Sequence, residues 1–494
     1  MSHGPLSSSV CGGFARPIFP TLFLALFLGL GFLSPPAVYS QGSPIEFSER
    51  ETFPVLNRVN ASLLEDVNGD GHADILSLVG EPGVDSVMYT QLGDGNGNFA
   101  TAFSQPLTVG FPWSVAVGDF NEDGNADAIV SDLLNSTFTY LSGNGDGTFT
   151  PDLRLIPGWS GGNPQVLARD IDEDGHLDLV GANFFGSQLL VAWGTGIDDP
   201  FDAFEPVTAI AVSGFPMSID VADLDLDGDL DLCCGFNGGS GGGVAVSLAT
   251  GVRTFAAEVR EIGGMPGAHW STKAIDLDGG GPEIVTVGEG DGLLGIFPLV
   301  GGEPQAPLTL PISPDGRHFD AADLDLDGEL DLVVRDTANG EYEVLRGLGG
   351  FTFQSELFIT DDPVSFCPVF LQDLDSDGRS DLFSANYTEQ TSTLHRNVTL
   401  TGTPFRRGDV NLDGSTNVAD AIFHLAYLFS GGVDPGCADS ADIHDDGGVN
   451  ISDAITLLES LFGGGAPLPP PTGNCDVDPT ADSLECNNTG GTCP

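Results

Sequence analysis

From about residue 45 to 400, short stretches in which apolar and polar residues alternate lead into acidic, glycine-containing segments, and apolar runs lead out of them. SVAVGD (114–119) and SIDVAD (218–223) lead in, while ADILSLV (73–79), LDLVGA (177–182) and LDLVVR (330–335) lead out. A period of two residues bounded by Asp and Gly predicts strand, acidic loop, strand. Several copies continue into a third strand and a Gly-aromatic turn, as in LGDGNGNFA (92–100), LSGNGDGTFT (141–150) and LRGLGGFTF (345–353). Their glycines suit tight hairpins.

The acidic segment is a repeated nonapeptide: DVNGDGHAD (66–74), DFNEDGNAD (119–127), DIDEDGHLD (170–178), DLDLDGDLD (223–231), DLDLDGELD (323–331) and DLDSDGRSD (373–381). DLDGGGPEI, from Asp276, is a degraded further copy, and successive starts lie 53, 51, 53, 53, 47 and 50 residues apart. That interval fits a blade of four short strands, so seven copies predict an all-β, seven-bladed propeller. IEFSERETFPV (45–55) resembles the segment after a Gly-aromatic turn, NFATAFSQPLTV (98–109). It is expected to supply the outer strand of the last blade, which would close the ring and remove its free edges.

Carboxylates or carboxamides at loop positions 1, 3, 5 and 9, with Gly at 6 for a sharp turn, gather hard oxygen donors around one point. Such donors suit calcium rather than zinc or copper. The expected ligands are Asp66, Asn68, Asp70 and Asp74; Asp119, Asn121, Asp123 and Asp127; Asp170, Asp172, Asp174 and Asp178; Asp223, Asp225, Asp227 and Asp231; Asp323, Asp325, Asp327 and Asp331; and Asp373, Asp375, Asp377 and Asp381. Four clustered acids repel one another unless a cation is present, which sets these loops apart from ordinary Asp-Gly turns. The fifth copy keeps Asp276 and Asp278 but has Gly280 in place of the third carboxylate and Glu283 one residue early. Weak or absent binding is expected there.

These loops resemble the FG-GAP or VCBS repeats of integrin α-chain propellers and of many secreted bacterial proteins, over roughly residues 45–405. The resemblance implies calcium in the loop between the first and second strands of each blade. It does not imply one activity, because such scaffolds serve adhesion, lectin-like binding and, in some members, polysaccharide cleavage.

Past Gly408 the pattern changes. DVNLDGSTNVAD (409–420) and DIHDDGGVNISD (442–453) are twelve-residue loops starting 33 residues apart, each running into an amphipathic helix. Ile422, Leu425, Ala426 and Phe429 are expected on the buried face of the first helix, and Ala454, Leu457, Leu458 and Leu461 on that of the second. The pair resembles a dockerin or EF-hand-like module, whose duplicated loop and helix bind calcium and dock onto a cohesin. Carried over by position, the ligands are Asp409, Asn411, Asp413, Asn417 and Asp420, then Asp442, Asp446, Asn450 and Asp453, with His444 standing where Asn or Asp is expected. The residues before the last ligand, which set dockerin selectivity, are Val418 and Ala419, then Ile451 and Ser452. They fit either a docking face or a buried one.

Composition narrows the partners. With 15 Lys+Arg against 72 Asp+Glu, the formal net charge is −57, and Lys273 is the single lysine. That excludes a nucleic-acid or anionic-lipid binder, since those partners select basic patches. Arg16 precedes an uncharged run, IFPTLFLALFLGLGFL (18–33), then PPAVYS; this reads as an export signal over 1–40, leaving a secreted mature chain without a membrane span. The expected parts are then a propeller over 41–405, the paired-loop module over 406–465 and a Pro-rich, Cys-containing tail over 466–494. Cys437, Cys475, Cys486 and Cys493 suit two disulfides in an oxidising compartment, in any of three pairings.

The leading functional reading is a secreted calcium-binding propeller that binds a glycan or an extracellular protein and is anchored to a cohesin-like partner. The alternative is a polysaccharide-degrading lyase or glycosidase on the same scaffold. No HExxH or phosphate loop is present, and no catalytic residue is nominated; His72 and His176, at loop position 7, read as exposed loop residues. The position six residues before each loop start lies about 20 Å away, at the other end of the strand. Those residues are Asn60, Trp113, Pro164, Met217, Trp270, Arg317 and Cys367. With His269 and His318 alongside, Trp113, Trp270 and Arg317 are the candidate ligand contacts, suited to stacking on sugar rings and bonding their hydroxyls.

Overall fold

The computed structural model describes residues 44–472 outside 56–57, 81–84, 101, 134–137, 153–155, 157, 160–161, 163, 198–202, 239–240, 291, 338, 360–366, 388, 400–404 and 465–466, together with residues 475, 484 and 486. The expected export signal lies outside these residues. Among the described residues no helix is long and apolar enough to cross a membrane.

Seven four-stranded antiparallel sheets follow one another along the chain, forming a seven-bladed β-propeller. The inner strands are Val59–Glu65, Pro112–Gly118, Val166–Arg169, Phe215–Ala222, Ala268–Ile275, Gly316–Ala322 and Val369–Gln372. Each runs into its acidic loop, and the second strand leaves it. Second strands such as Asp74–Val79, Asp178–Asn183 and Asp331–Asp336 are buried at every residue. Both of their faces pack against neighbouring blades, so they read as continuous apolar runs rather than alternating ones. The core accordingly lies between blades. Val180, Leu189 and Val191 of blade 3, for example, meet Ile219, Leu232 and Ala245 of blade 4. Each such aliphatic side chain contributes roughly 1.5–3 kcal/mol on burial.

Side chains also stitch successive inner strands. Ser114 Oγ accepts from Val166 N at 3.1 Å, Gln165 Oε1 from Ile219 N at 2.9 Å, Asp220 Oδ2 from Ala274 N at 2.9 Å and Asp320 Oδ2 from Leu371 N at 2.9 Å. Glu51–Pro54 pairs with Thr391–His395, placing Glu51 opposite Leu394, so the N-terminal strand is the outer strand of blade 7. The ring closes as the sequence predicts.

One feature recurs that strand periodicity does not reveal. In blades 1, 2, 4, 5 and 6 the inner strand carries a bulge at the same register, and the residue skipped in pairing is Asn60, Trp113, Met217, Trp270 or Arg317. A bulge leaves its extra residue outside the ladder and re-aims its side chain.

The C-terminal part contains α1 (Val418–Ser430), α2 (Ala438–Ala441) and α3 (Ile451–Leu458). Asn417 and Asn450 cap α1 and α3 with complete capping boxes, Asp420 and Asp453 returning the bond, an arrangement that satisfies two otherwise orphaned donors at each helix start. The small core is Val410, Ala421, Ala441, Ile443 and Leu457. The expected face of α3 holds for Ala454 and Leu457, both fully buried, but that of α1 does not: Ile422 and Phe429 are 63% and 65% exposed, and Ala421 and His424 are buried instead. His424 stands 33 residues before Leu457, at the equivalent core position, and a polar residue there hides the stripe from an apolar count. Cys437 pairs with Cys486, and Cys475 is also disulfide-bonded, whereas Cys233, Cys234 and Cys367 are buried thiols.

Candidate metal centres and the opposite face

The six complete acidic loops share one frame, from which the blade 5 loop departs, Asp276 accepting Gly279 N and Asp278 accepting Gly280 N. The position 1 carboxylate accepts the N–H groups of positions 5 and 6: Asp119 from Asp123 and Gly124 at 3.0 and 2.9 Å, Asp223 from Asp227 and Gly228 at 3.1 and 3.0 Å, Asp323 from Asp327 and Gly328 at 3.0 and 2.9 Å. Position 4 is left-handed throughout, including at Glu122, Glu173, Leu226, Leu326 and Ser376, with φ between 57 and 63°. A side chain held there costs on the order of 1–2 kcal/mol, so the loop conformation is imposed by the ring of acids rather than chosen by residue 4.

Position 9 does more than its spacing suggests. Asp178 is fully buried and accepts Ile171 N at 2.9 Å and Gly194 N at 2.8 Å, tying the loop to the end of the third strand. Asp231 and Asp331 do the same with Leu224 and Ala249, and with Leu324 and Gly347. Burial, reinforced by the other acids of the loop, raises Asp178 and Asp331 to about 7 and Asp231 and Asp381 to about 6. In blade 5, Glu283 restores this contact despite arriving one residue early, because its longer side chain lets Oε2 accept Leu277 N at 3.0 Å.

The donor set fits a hard divalent cation. Asp170/Asp172/Asp178, Asp223/Asp225/Asp231, Asp276/Asp278/Glu283 and Asp323/Asp325/Asp331 each bring carboxylate oxygens within 4.8 Å of one another. Asp225 Oδ1 and Asp375 Oδ1 are buried without a hydrogen-bond donor among the described residues. A buried anionic oxygen in that state is costly until something positive reaches it.

In the C-terminal loops, Asp409 accepts Asp413 N at 3.0 Å and Gly414 N at 2.9 Å, while Asp420 accepts Asn411 N at 3.1 Å and Asn417 N at 2.8 Å. Asp442 and Asp453 repeat this with Gly447 N at 2.8 Å and Asn450 N at 2.8 Å. His444 has Nδ1 3.3 Å from Oδ1 of Asp453, itself an expected ligand of this loop, and Nε2 2.8 Å from Thr456 Oγ1. Arg407, which the sequence does not single out, is wholly buried; it donates to Pro470 O at 3.0 Å and to Asp442 O, and pairs with Asp445 at 2.9 Å. It thereby braces the second loop against the tail.

At the strand ends opposite the acidic loops, Trp113 stacks on Phe111 with centroids 5.6 Å apart and planes 30° apart, and Arg317 sits over Trp270 at 5.4 Å. His318 is half-buried beside Arg317. Four residues read back from the loops do not face outward: Asn60, Pro164, Met217 and Cys367 are buried, and Asn60 Nδ2 donates to Pro112 O at 3.1 Å. His269 is also fully buried, its Nδ1 3.1 Å from Thr286 Oγ1, so it is a core residue rather than a ligand contact. Burial lowers it to about 4. Phe215 (46% exposed) and Phe185 (59%) join Phe184, which lies 5.2 Å from both rings. The Gly-Phe-Pro triplets at 110–112 and 214–216 are the sequence signal for Phe111 and Phe215. On the loop side, His176 is not a bare loop residue; its Nδ1 bonds the Glu122 carboxylate of the preceding blade, which raises its pKa.

The FG-GAP-like repeat family matches residues 66–130 and 170–234, blades 1–2 and 3–4 in this structure. Among solved structures, the chain is similar to BBS1N in complex with ARL6DN: the mercury-soaked crystal is 12% identical with a TM-score of 0.48, and the lead-soaked crystal is 12% identical with a TM-score of 0.47. Each comparison covers 72% of this chain and 98% of the other. No curated protein matches. The protein is a seven-bladed propeller whose residues 66–130 and 170–234 carry FG-GAP-like repeats.

Proposed function

We propose that this is a secreted calcium-binding propeller that binds a glycan or an extracellular protein on the face opposite its acidic loops and is anchored through its C-terminal paired-loop module. The observation that carries the binding reading is the repeated bulge. Five blades interrupt the inner strand at one register, and three of the residues so released are Trp113, Trp270 and Arg317. Aromatic faces and a guanidinium on a rigid scaffold suit sugar rings and their acidic or hydroxyl substituents. Calcium is supported by the repeated donor frame and by buried carboxylate oxygens that lack a donor.

The anchoring reading is supported by symmetry in the C-terminal module. Val418, Ile422 and Phe429 are exposed on α1, and Ile451, Ile455 and Phe462 are exposed at positions 33 residues later. Ala419 and Ser452 are exposed as well, so all four selectivity positions fit a docking face rather than a buried one. A duplicated apolar stripe on a calcium-ordered module is what a cohesin-like partner would recognise.

The test is retention of the purified protein on immobilised polysaccharides, with soluble product measured in parallel. Trp113→Ala and Trp270→Ala, made singly, are expected to reduce retention at least about tenfold, the weight of a lost aromatic contact. The calcium-dependent melting midpoint should barely move. Retention unchanged with a large fall in stability would assign both rings to packing and sink the reading.

A further inference from the structure

Three acidic loops already hold a positive charge. In blade 6, Arg346 reaches Asp325, at loop position 3, at 2.5 Å and Glu356 of the outer strand at 3.1 Å. In blade 7, Arg396 reaches Asp375, again position 3, at 3.0 Å and Glu51 of the outer strand at 2.8 Å. These two arginines are structural equivalents, since each immediately precedes the residue whose N–H bonds the position 9 aspartate, Gly347 to Asp331 and Asn397 to Asp381. Blade 3 has Trp193 at that place, yet its loop is served from the next blade: Arg253 lies over the Trp193 ring at 5.6 Å and pairs with Asp172, with Asp174 at 2.6 Å and with Glu205 at 2.9 Å.

Arg253 occupies the turn of a hairpin in blade 4, Ala249–Gly251 paired with Thr254–Phe255, and it is left-handed at φ 57°. The same hairpin in blade 5, Leu299–Val300 paired with Glu303–Pro304, has Gly302 at that turn position, at φ 70°. Gly302 faces the blade 4 loop, where an added Cβ would lie 3.0 Å from the Asp225 Cβ. The hairpin that delivers a guanidinium to loop 3 thus delivers only glycine to loop 4. Holding a side chain where glycine is at ease costs on the order of 1–2 kcal/mol, so the pairing with Asp172 and Asp174 must outweigh that strain.

Charge at position 3 follows the same division. Loops 1 and 2 have Asn68 and Asn121 there, and among the described residues neither loop has an arginine partner. Loops 3, 6 and 7 have aspartate with arginine. Loop 4 alone combines four aspartates, Asp223, Asp225, Asp227 and Asp231, with no ion pair among the described residues; Asp225 Oδ1 and Asp375 Oδ1 of loop 7 are both buried without a donor, but only Asp375 has an arginine on its other oxygen. Resting on the calcium reading above, we propose that Arg253, Arg346 and Arg396 are built-in counter-cations that weaken the divalent-cation demand of loops 3, 6 and 7, and that loop 4 is the propeller's dominant cation site. An arginine fixed on a position 3 carboxylate occupies one of its oxygens and repels an incoming divalent ion.

The test uses the full chain, radioactive calcium in equilibrium dialysis, and terbium luminescence sensitised by Trp193, which reports on loop 3. Asp225→Asn is expected to remove one site of the tightest class and to narrow the gap between melting midpoints in calcium and in chelator, while Asp172→Asn leaves that class intact. Arg253→Gly, which gives the turn the residue found in blade 5, should lower the terbium concentration for half-maximal Trp193-sensitised signal by about tenfold, the scale of one removed charge at partial exposure. Arg253→Lys, retaining the charge, should stay close to wild type. An Arg253→Gly titration superimposed on wild type, or Asp225→Asn keeping every tight site, overturns the inference while leaving calcium binding in place. Wild-type protein that binds no calcium overturns the calcium reading itself, and this inference with it.

Discussion

The ammonium of Lys273, the only lysine in the chain, lies 2.5 Å from Asp320 Oδ1 on the inner strand of the next blade. The other oxygen of Asp320 accepts Leu371 N at 2.9 Å in the blade beyond. One carboxylate therefore joins three successive blades.

The two partners should not be equivalent under mutation. Lys273 is 36% exposed in its side chain, and Lys273→Met is expected to cost no more than about 1 kcal/mol, as for other partly exposed pairs. Asp320→Ala also frees the Leu371 amide and should cost about 2–3 kcal/mol, the range for a hydrogen bond to a charged group plus its pairing. Chemical denaturation of both single variants and the double variant checks this; equal losses would mean the inter-blade bond contributes nothing.

Chelation should lower the melting midpoint. At about 1 mM free calcium and site dissociation constants of about 0.1–1 mM, each filled site adds about 0.4–1.4 kcal/mol. Several independent sites make a shift easily seen by calorimetry in EDTA, and an unchanged midpoint would refute calcium as the resident cation.

Acid should act through His269. Its folded-state pKa, about 4, lies below an unfolded value of about 6.5. The neutral form is therefore favoured by folding. Its contribution is complete above pH of about 6.5 and is lost as pH falls towards 4, at up to about 1.4 kcal/mol per unit. His269→Gln should flatten the stability profile between those pH values relative to wild type, measured in saturating calcium; parallel profiles would count against a buried neutral histidine.

Reduction of Cys437–Cys486, which spans 49 residues, should destabilise the C-terminal module by up to about 4 kcal/mol, from the entropy of the loop it closes. Helical circular dichroism with and without reductant, on the full chain and on a Cys486→Ser variant, reads this out. Identical melts would show that the tail adds no constraint.

The fold was legible because its signal is repeated. Seven acidic loops at nearly constant spacing fix the blade count, and the kinship of 45–55 to 98–109 identifies the strand that closes the ring. What stayed hidden depends on neighbours distant in sequence. Nothing near Arg253 indicates that it reaches Asp172 in the preceding blade, some 80 residues earlier. Residue spacing grouped His269 with Trp270 and Arg317, yet His269 is buried while the other two are the residues skipped in pairing, because alternation along a strand does not show where a bulge falls. On α1, the buried His424 displaced the expected apolar face, so a stripe of hydrophobic residues marked the exposed side instead of the core.

The closure of blade 7 by Glu51–Pro54 also fixes an order of events during synthesis. The partner strand starts at Thr391, 337 residues after Pro54 (391 − 54). At 5–20 residues per second, that strand has no partner for about 17–70 s after it is made. Until then six blades can assemble in succession, each on the one before, while the first strand remains an open β-edge. The ring is thus completed by the first described strand meeting the third strand of the last blade, and any factor that shields a lone edge strand from other chains has its effect in that interval.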